Sequence, residues 1–418
     1  MSVSGLTTRS IVEQLDELAT INRDPAAGGI TREVFTDEYT LANDHVAELM
    51  RSAGLEVRGD PFGNLFGRLA GRDPTAPAVL TGSHIDTTLN AGRYDGVLGV
   101  IGAIEALRAL QATGWKPQRS LEVISFAGEE PRFGSGCLGS RALTGDLSRS
   151  ELDTMRDRDG VSVAEAMRAV GLDPDRIDEV RLDTAGVHAF VELHIEQGSV
   201  LEAAGIPIGV VTHIAAPHDL LVTVRGEAAH AGATPMTMRH DAFAGTAEGA
   251  VLLEQLAQTS TSHSTVATIG VVHVRPGAIN VIPAETELHV DIRDHDLTAR
   301  TAVVDAFRAG LQEIANRRGL EIEVDTIRYD HPAACDTSIV DAARAACDDL
   351  DEPYLDVISG AYHDAMVLGP HVPIGMIFVP SVRGISHSPL EFTAPGDLDR
   401  GVQVLAATLR RLAGDASQ

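Results

Sequence analysis

The chain has 418 residues, 44% of them apolar and 22% charged, with 40 glycines, so it is long enough for more than one domain and too ordinary in composition for disorder, collagen or coiled coil. A formal charge of −27 repels nucleic acid and anionic lipid, and neither is expected as a partner. Cys137, Cys335 and Cys347 are too few and scattered for a disulfide framework or a thiolate zinc site, and with no basic-then-apolar start in residues 1–23 and no apolar run of about 18 residues, a cytoplasmic location without membrane insertion is expected.

Apolar residues at helical spacing over 8–21 (Ile11, Leu15, Leu18) and 36–54 (Leu41, Val46, Leu49) predict two opening helices, the second stopped by Gly54. A glycine-rich hairpin follows around 63–71. Short apolar runs then alternate with helical stretches: 78–81, a helix over 97–113 ending at Gly114, 121–126, short solvated helices over 146–183, and 189–193. This alternation predicts an α/β fold with a mixed, mainly parallel sheet and flanking helices. From about His213 the pattern becomes a strand (220–225), a helix (240–258), two paired strands (268–273 and 287–293), a helix (298–315) and a strand near 320–327. That β-α-β-β-α-β order predicts an inserted ferredoxin-like α+β domain over 213–327. Residues 1–212 and 328–418 then form a discontinuous catalytic domain, closed by a strand at 374–379 and a helix at 396–412.

Acids and histidines fall at the carboxyl ends of the predicted parallel strands, where open α/β sheets place their ligands. His84 and Asp86 follow the strand at 78–81, Glu129 and Glu130 the one at 121–126, and His194 the one at 189–193; His387 lies beyond 374–379, and Asp95 precedes the helix at 97–113. A lone histidine at a strand end is ordinarily a hydrogen-bonded core or surface residue, and an adjacent Glu-Glu a solvated pair. Here five segments converge on one rim. Imidazoles and carboxylates without thiolates suit zinc, or manganese, cobalt or nickel, better than calcium. For two divalent ions, Asp95 can bridge, His84 and His194 complete one ion, and Glu130 and His387 the other. Glu129 is then free as general base, and Asp86 can orient the His84 imidazole. Gly134-Ser135-Gly136-Cys137-Leu138-Gly139 fits a dinucleotide fingerprint, but seven residues separate it from the strand that should turn directly into it. It reads instead as a loop packed under the acid pair.

The blocks Gly82-Ser83-His84-Ile85-Asp86, Gly92-Arg93-Tyr94-Asp95-Gly96, Glu129-Glu130-Pro131-Arg132-Phe133 and His194-Ile195-Glu196-Gln197-Gly198 resemble the dinuclear-metal amidohydrolases. That group includes N-carbamoyl-L-amino-acid hydrolase, beta-ureidopropionase and allantoate amidohydrolase, within the aminoacylase and carboxypeptidase clan. The resemblance continues through Ala229-His230-Ala231-Gly232, Asn280-Val281-Ile282-Pro283, Asp291-Ile292-Arg293-Asp294, Ser359-Gly360-Ala361-Tyr362-His363-Asp364-Ala365-Met366 and Gly384-Ile385-Ser386-His387-Ser388-Pro389. It implies the same metal ligands (His84, Asp95, Glu130, His194, His387), Glu129 as base and Asp86 behind the first histidine. It also implies a substrate site formed with Gln197, His230, Asn280 and Arg293, where Arg293 offers a fork for a carboxylate. The expected reaction is metal-dependent hydrolysis of the ureido bond of an N-carbamoyl-L-amino acid, giving the amino acid, ammonia and carbon dioxide. Allantoate or an N-acyl amino acid is the rival substrate, and a non-catalytic binding protein the remote alternative. A homodimer through the inserted domain is expected, on the apolar residues Leu252, Leu253 and Leu256.

Two blocks that border the site depart from the family's usual pattern. Thr87-Thr88-Leu89-Asn90-Ala91-Gly92 stands where relatives commonly carry Thr-Val-Pro-Asn-Gly-Gly, and Ser381-Val382-Arg383-Gly384 replaces a more usual Ser-Arg-Gly-Gly. Neither removes a ligand, and both bear on substrate selectivity.

Overall fold

The structure, a computed structural model, describes residues 8–414. It divides into two compact units, one of residues 8–212, 334–359 and 363–414, the other of residues 213–333 and 360–362. In the first, α1 (Thr8–Ala19) and α2 (Asp37–Ser52) open the chain, and the Thr36 side chain caps α2 by accepting from Tyr39 N–H. An antiparallel hairpin follows, β1 (Glu56–Gly59) and β2 (Leu65–Leu69), turning through Gly63 at φ 105°. It begins earlier than the 63–71 expected, because the exposed, polar β1 carries no apolar alternation to read.

The next elements are β3 (Ala78–His84), α3 (Val97–Ala112), β4 (Leu121–Phe126), α4 (Leu138–Thr144), α5 (Arg149–Thr154), α6 (Val163–Ala169), β5 (Val187–Ile195), α7 (Val200–Ala204) and β6 (Ile208–Ile214). Every residue of β3 and β4 is buried, as befits strands covered on both faces. Nearly all of α3 is buried too, so it is apolar around its whole circumference and forms a central core helix. The polar helices α5 and α6 each begin with a reciprocal Ser/Glu cap, Ser148 with Glu151 and Ser162 with Glu165.

The second unit comprises β7 (Ala216–Arg225), α8 (Ala242–Gln258), β8 (Val266–Arg275), β9 (Glu285–Asp294), α9 (Leu297–Arg318) and β10 (Glu321–Tyr329). Its strands lie in the order β10-β7-β9-β8, all antiparallel, which is the ferredoxin-like arrangement that the element order implies. Leu220, Val222, Leu288 and Val290 from the sheet meet Leu253, Phe307 and Leu311 from the helices. Leu253 is only 2% exposed, and Leu252 and Leu256 pack against the same core. The leucines expected to form an uncovered interface are therefore turned inward. Apolar residues left open include Val266, Val271 and Val272 on the terminal strand β8, Phe243 and Val251 on α8, Ile327 on β10, and Met236, Met238 and Ile279 between the main elements.

Returning to the first unit, the chain forms β11 (Ala333–Ala334), α10 (Thr337–Leu350), β12 (Tyr354–Ser359), α11 (Asp364–Leu368), β13 (Ile374–Val379) and α12 (Pro395–Ala413). Among the described residues its sheet has nine strands in the order β1-β2-β4-β3-β5-β13-β6-β11, with β12 pairing to β6. The centre, β4-β3-β5-β13, is parallel, and antiparallel strands flank it on both sides. The mainly parallel sheet is thus a parallel core of four strands whose carboxyl ends share one rim.

Candidate metal centre

The residues that the sequence places at strand ends meet on that rim. His84 ends β3, His194 is the penultimate residue of β5, Glu129 and Glu130 follow β4, and His387 lies in the loop between β13 and α12. Asp95 sits just before α3, where Gly96 makes a tight turn (φ 66°, ψ −47°) closed by Val97 N–H donating to Asp95 O at 2.7 Å. The donor atoms of His84, Asp95 and His194 lie within 4.8 Å of one another, and so do those of Asp95, Glu130 and His387. Asp95 belongs to both groups. Its Oδ1 is 3.3 Å from His194 Nε2 and 3.9 Å from His84 Nε2, while its Oδ2 is 3.0 Å from His387 Nε2. His387 Nε2 also lies 3.4 Å from Glu130 Oε1.

The ring orientations follow from the opposite nitrogens. His84 Nδ1 lies 3.0 Å from the main-chain oxygen of Asp86, and His194 Nδ1 2.9 Å from that of Ile195. A carbonyl oxygen only accepts, so each Nδ1 donates; in the neutral ring Nε2 then carries the lone pair, and that of His194 receives Gly96 N–H at 3.1 Å. Asp86 thus holds His84 through its backbone. Its carboxylate, 3.7 Å from His84 Nδ1, accepts instead from Gly128, Glu129 and Glu130 N–H and so fixes the turn that carries the two acids. The glycine-rich loop does pack under this turn: Cys137 N–H donates to Glu129 O and Leu138 N–H to Gly128 O.

Electrostatics show what the cluster lacks. Burial, then repulsion from Glu130 and Asp364, pushes the Glu129 carboxyl well above its ordinary value. Burial and Asp95 push Glu130 up to about 8. Among the described residues no Arg or Lys pairs with Asp95, Glu129 or Glu130. The Asp95 contact raises the pKa of His387 to about 9, and against the lowering effect of burial it raises that of His194 to about 9. Two groups of imidazole nitrogens and carboxylate oxygens that share one acid, with no guanidinium or ammonium among them, fit hard-to-borderline divalent cations. Glu129 Oε2 is 3.6 Å from His84 Nε2 and stands outside both groups.

The residues implied around the substrate are more dispersed. Gln197 Nε2 donates to Asp95 Oδ2 at 2.8 Å, so its amide is engaged with the carboxylate that the two groups share. In the second unit, His230 and Asn280 lie in adjoining loops, joined by Ala231 N–H to Asn280 O and by a bridge from His230 to Val281. Gly232 and Ala233 N–H donate to His230 Nδ1. Arg293 lies at the far end of β9, with Nε and Nη2 on the Asp291 carboxylate at 2.7–3.0 Å and Nη1 on Gly360 O. From Glu285, where β9 starts, to Arg293 is eight residues of extended strand, roughly 26 Å, so one unit cannot bring His230, Asn280 and Arg293 to the same small molecule.

Sequence reasoning missed a third donor group, Glu192, His194 and His363, all buried. Glu192 precedes His194 by two residues on β5 and so shares its face, a period-two signal that could have found it. His363 packs edge-on against the His194 ring, with centroids 4.6 Å apart.

A profile of peptidase family M20/M25/M40 matches residues 80–411. Similar proteins include a ureidoglycolate hydrolase of Arabidopsis thaliana, 43% identical over 409 residues that cover 96% of this chain and 86% of that one. An N-carbamoyl-L-amino acid amidohydrolase of Geobacillus stearothermophilus is 42% identical over 402 residues, covering 96% and 97%. Among solved structures, an amidase of the hydantoinase/carbamoylase family from Burkholderia multivorans superposes with a TM-score of 0.89 at 33% identity, covering 98% of each chain.

Proposed function

Because the chain belongs to peptidase family M20/M25/M40, we propose that it is a metal-dependent hydrolase of the linear carbon–nitrogen bond in a small ureido carboxylate, an N-carbamoyl-L-amino acid first. The observation that carries this reading is the pair of donor groups sharing Asp95, with Glu129 beside them and in neither. His84, Asp95 and His194 would hold one ion, and Asp95, Glu130 and His387 the other. Bound divalent ions, zinc foremost and Mn²⁺, Co²⁺ or Ni²⁺ as alternatives, polarise a carbonyl and bring the pKa of water toward ~7. Glu129 accepts a proton from the attacking water and returns it to the departing nitrogen. One ureido group and one water thus yield the amino acid, ammonia and carbon dioxide.

In this reading the second unit acts as a lid and contributes Arg293 for the carboxylate, with His230 and Asn280 as donors to the developing oxyanion. Their separation along β9 supports a reading in which these contacts come from two copies of the chain, a homodimer. Open apolar residues on β8 and near His230 and Asn280 support that arrangement, since long exposed edge strands are ordinarily covered. Among the described residues no helix is long and apolar enough to cross a membrane, and we place the enzyme in the cytoplasm. A second reading, ureidoglycolate as substrate, is favoured by the equally similar plant relative. Both compounds carry the ureido nitrogen on the carbon next to a carboxylate.

Ammonia release from N-carbamoyl-L-amino acids, ureidoglycolate and allantoate, and free amino acid release from N-acyl amino acids, with metal analysis of the same sample, tests the proposal. Turnover of the carbamoyl amino acids is expected, lost on chelation and restored by added metal. Normal turnover by fully demetallated protein refutes it, turnover of ureidoglycolate alone selects the second reading, and binding without turnover selects a receptor.

A further inference from the structure

Behind the metal centre lies a hydrogen-bonded group that the reaction above does not use. Asp95 turns Oδ1 toward His84 and His194 and Oδ2 toward His387, so its sharing depends on the plane of one carboxylate. Rotation about that sp³–sp² bond has only broad intrinsic preferences. Two side chains fix it. The Ser386 hydroxyl donates to Asp95 Oδ2 at 2.8 Å, and Gln197 Nε2, which donates to the same oxygen, is also 3.2 Å from Ser386 Oγ.

Ser386 Oγ lies 2.9 Å from Glu391 Oε2, so its single proton serves two carboxylates in a three-centre contact. Glu391 Oε1 accepts the backbone N–H groups of Tyr94 at 2.8 Å and Asp95 at 3.2 Å. Glu391 is 5% exposed and fills the place of a side chain at Gly92, where a Cβ would come within 2.2 Å of Oε1. One buried carboxylate therefore grips both the main chain that carries Asp95 and the hydroxyl that aims it. Since Ser386 adjoins His387, the loop bearing the last histidine is tied to the same point.

We infer that Ser386 and Glu391 are positioning residues for the metal centre, setting the plane of the Asp95 carboxylate so that each oxygen serves one ion. The inference rests on the metal reading proposed above. Cobalt(II) is the probe, because its visible spectrum reports ligand geometry and its titration reports affinity without any turnover. Ser386→Ala should weaken cobalt binding 10–100-fold, alter the band shape, and lower kcat with KM little changed. Ser386→Thr keeps the hydroxyl and should restore all three. Glu391→Gln can still accept from Tyr94 and Asp95 through Oε1 while donating to Ser386 through Nε2, and should stay close to the unaltered chain, whereas Glu391→Ala should behave like Ser386→Ala. Unaltered affinity and spectrum in Ser386→Ala overturn the inference, as does an equal loss in Ser386→Thr. If the unaltered chain binds no cobalt, the metal reading falls and takes this inference with it.

Discussion

Replacing Gly96 by alanine probes the turn that sets Asp95 against His84. Gly96 occupies φ 66°, ψ −47°, the centre of a γ-turn that side-chain-bearing residues rarely adopt, and holding alanine there costs roughly 1–3 kcal/mol. The new Cβ would also lie 2.3 Å from His84 Nε2 and 2.4 Å from Cδ2 and Cε1, more than ~1 Å inside ordinary contact. The ring cannot swing aside freely, being 2% exposed and bonded through Nδ1 to Asp86 O. Forced repacking of this kind adds about 1–3 kcal/mol, for a total loss of about 2–6 kcal/mol. Gly134→Ala is the control, since Gly134 also has positive φ (79°) but a Cβ there meets nothing within 4 Å. Urea unfolding of both variants after chelation isolates the steric part from any metal contribution, and metal analysis without chelator reads the displacement of His84. The reasoning is refuted if Gly96→Ala is no less stable than Gly134→Ala and still binds two ions.

Glu129→Gln should retain both ions and lose ~10²–10⁴ in kcat, whereas Glu130→Gln should lose one ion; metal content that falls with Glu129→Gln instead means the adjacent acids have exchanged roles. Arg293→Lys should raise KM for α-carboxylate substrates, costing of order 2 kcal/mol in kcat/KM; unchanged kinetics remove Arg293 from substrate binding. Glu248, bonded to Arg317 and Arg318, has its pKa lowered to about 2, first by those hydrogen bonds. A folded pKa below the unfolded value gives stability that is complete above about pH 4.5 and lost as pH falls toward 2. Solvent screens the pair, so the effect is of order 1 kcal/mol. The gap between the urea midpoints of the full chain and of Glu248→Gln should therefore narrow steadily as pH falls from about 5 toward 2, and a gap that stays constant contradicts the assignment.

What the sequence reveals and what it hides have physical causes. β13 is a continuous apolar run and could be read to the residue, as befits a strand buried on both faces; β4 could be read as well, although it carries the buried Glu122 and Ser125 among its apolar residues. α10 escaped because much of its buried face is small: Ala343, Ala346 and Cys347 stand beside Ile339 and Val340. In the metal centre the donors were legible because each terminates or follows a strand of the parallel core. Glu391 was not, since it acts on Tyr94 and Asp95 N–H from 296 or more residues away, and no local pattern marks such a contact. The distance between Arg293 and Asn280 was hidden for another reason: thirteen positions look close in a sequence, yet most of them are fully extended strand.

The sheet order also imposes a timetable on synthesis. β13 is the neighbour of both β5 and β6 yet follows them by more than 150 residues, after the whole second unit. As the polypeptide emerges from the ribosome, β3 and β5 can pair as soon as residue 195 is out, and His84, Asp95 and His194 are then all in hand. Glu130 must wait for His387, which arrives after the last central strand has slotted between β5 and β6. If the two groups hold one cation each, as proposed, a nascent or C-terminally clipped chain would complete the first site long before the second, and early metal capture would brace the half-built sheet while the gap for β13 is still open.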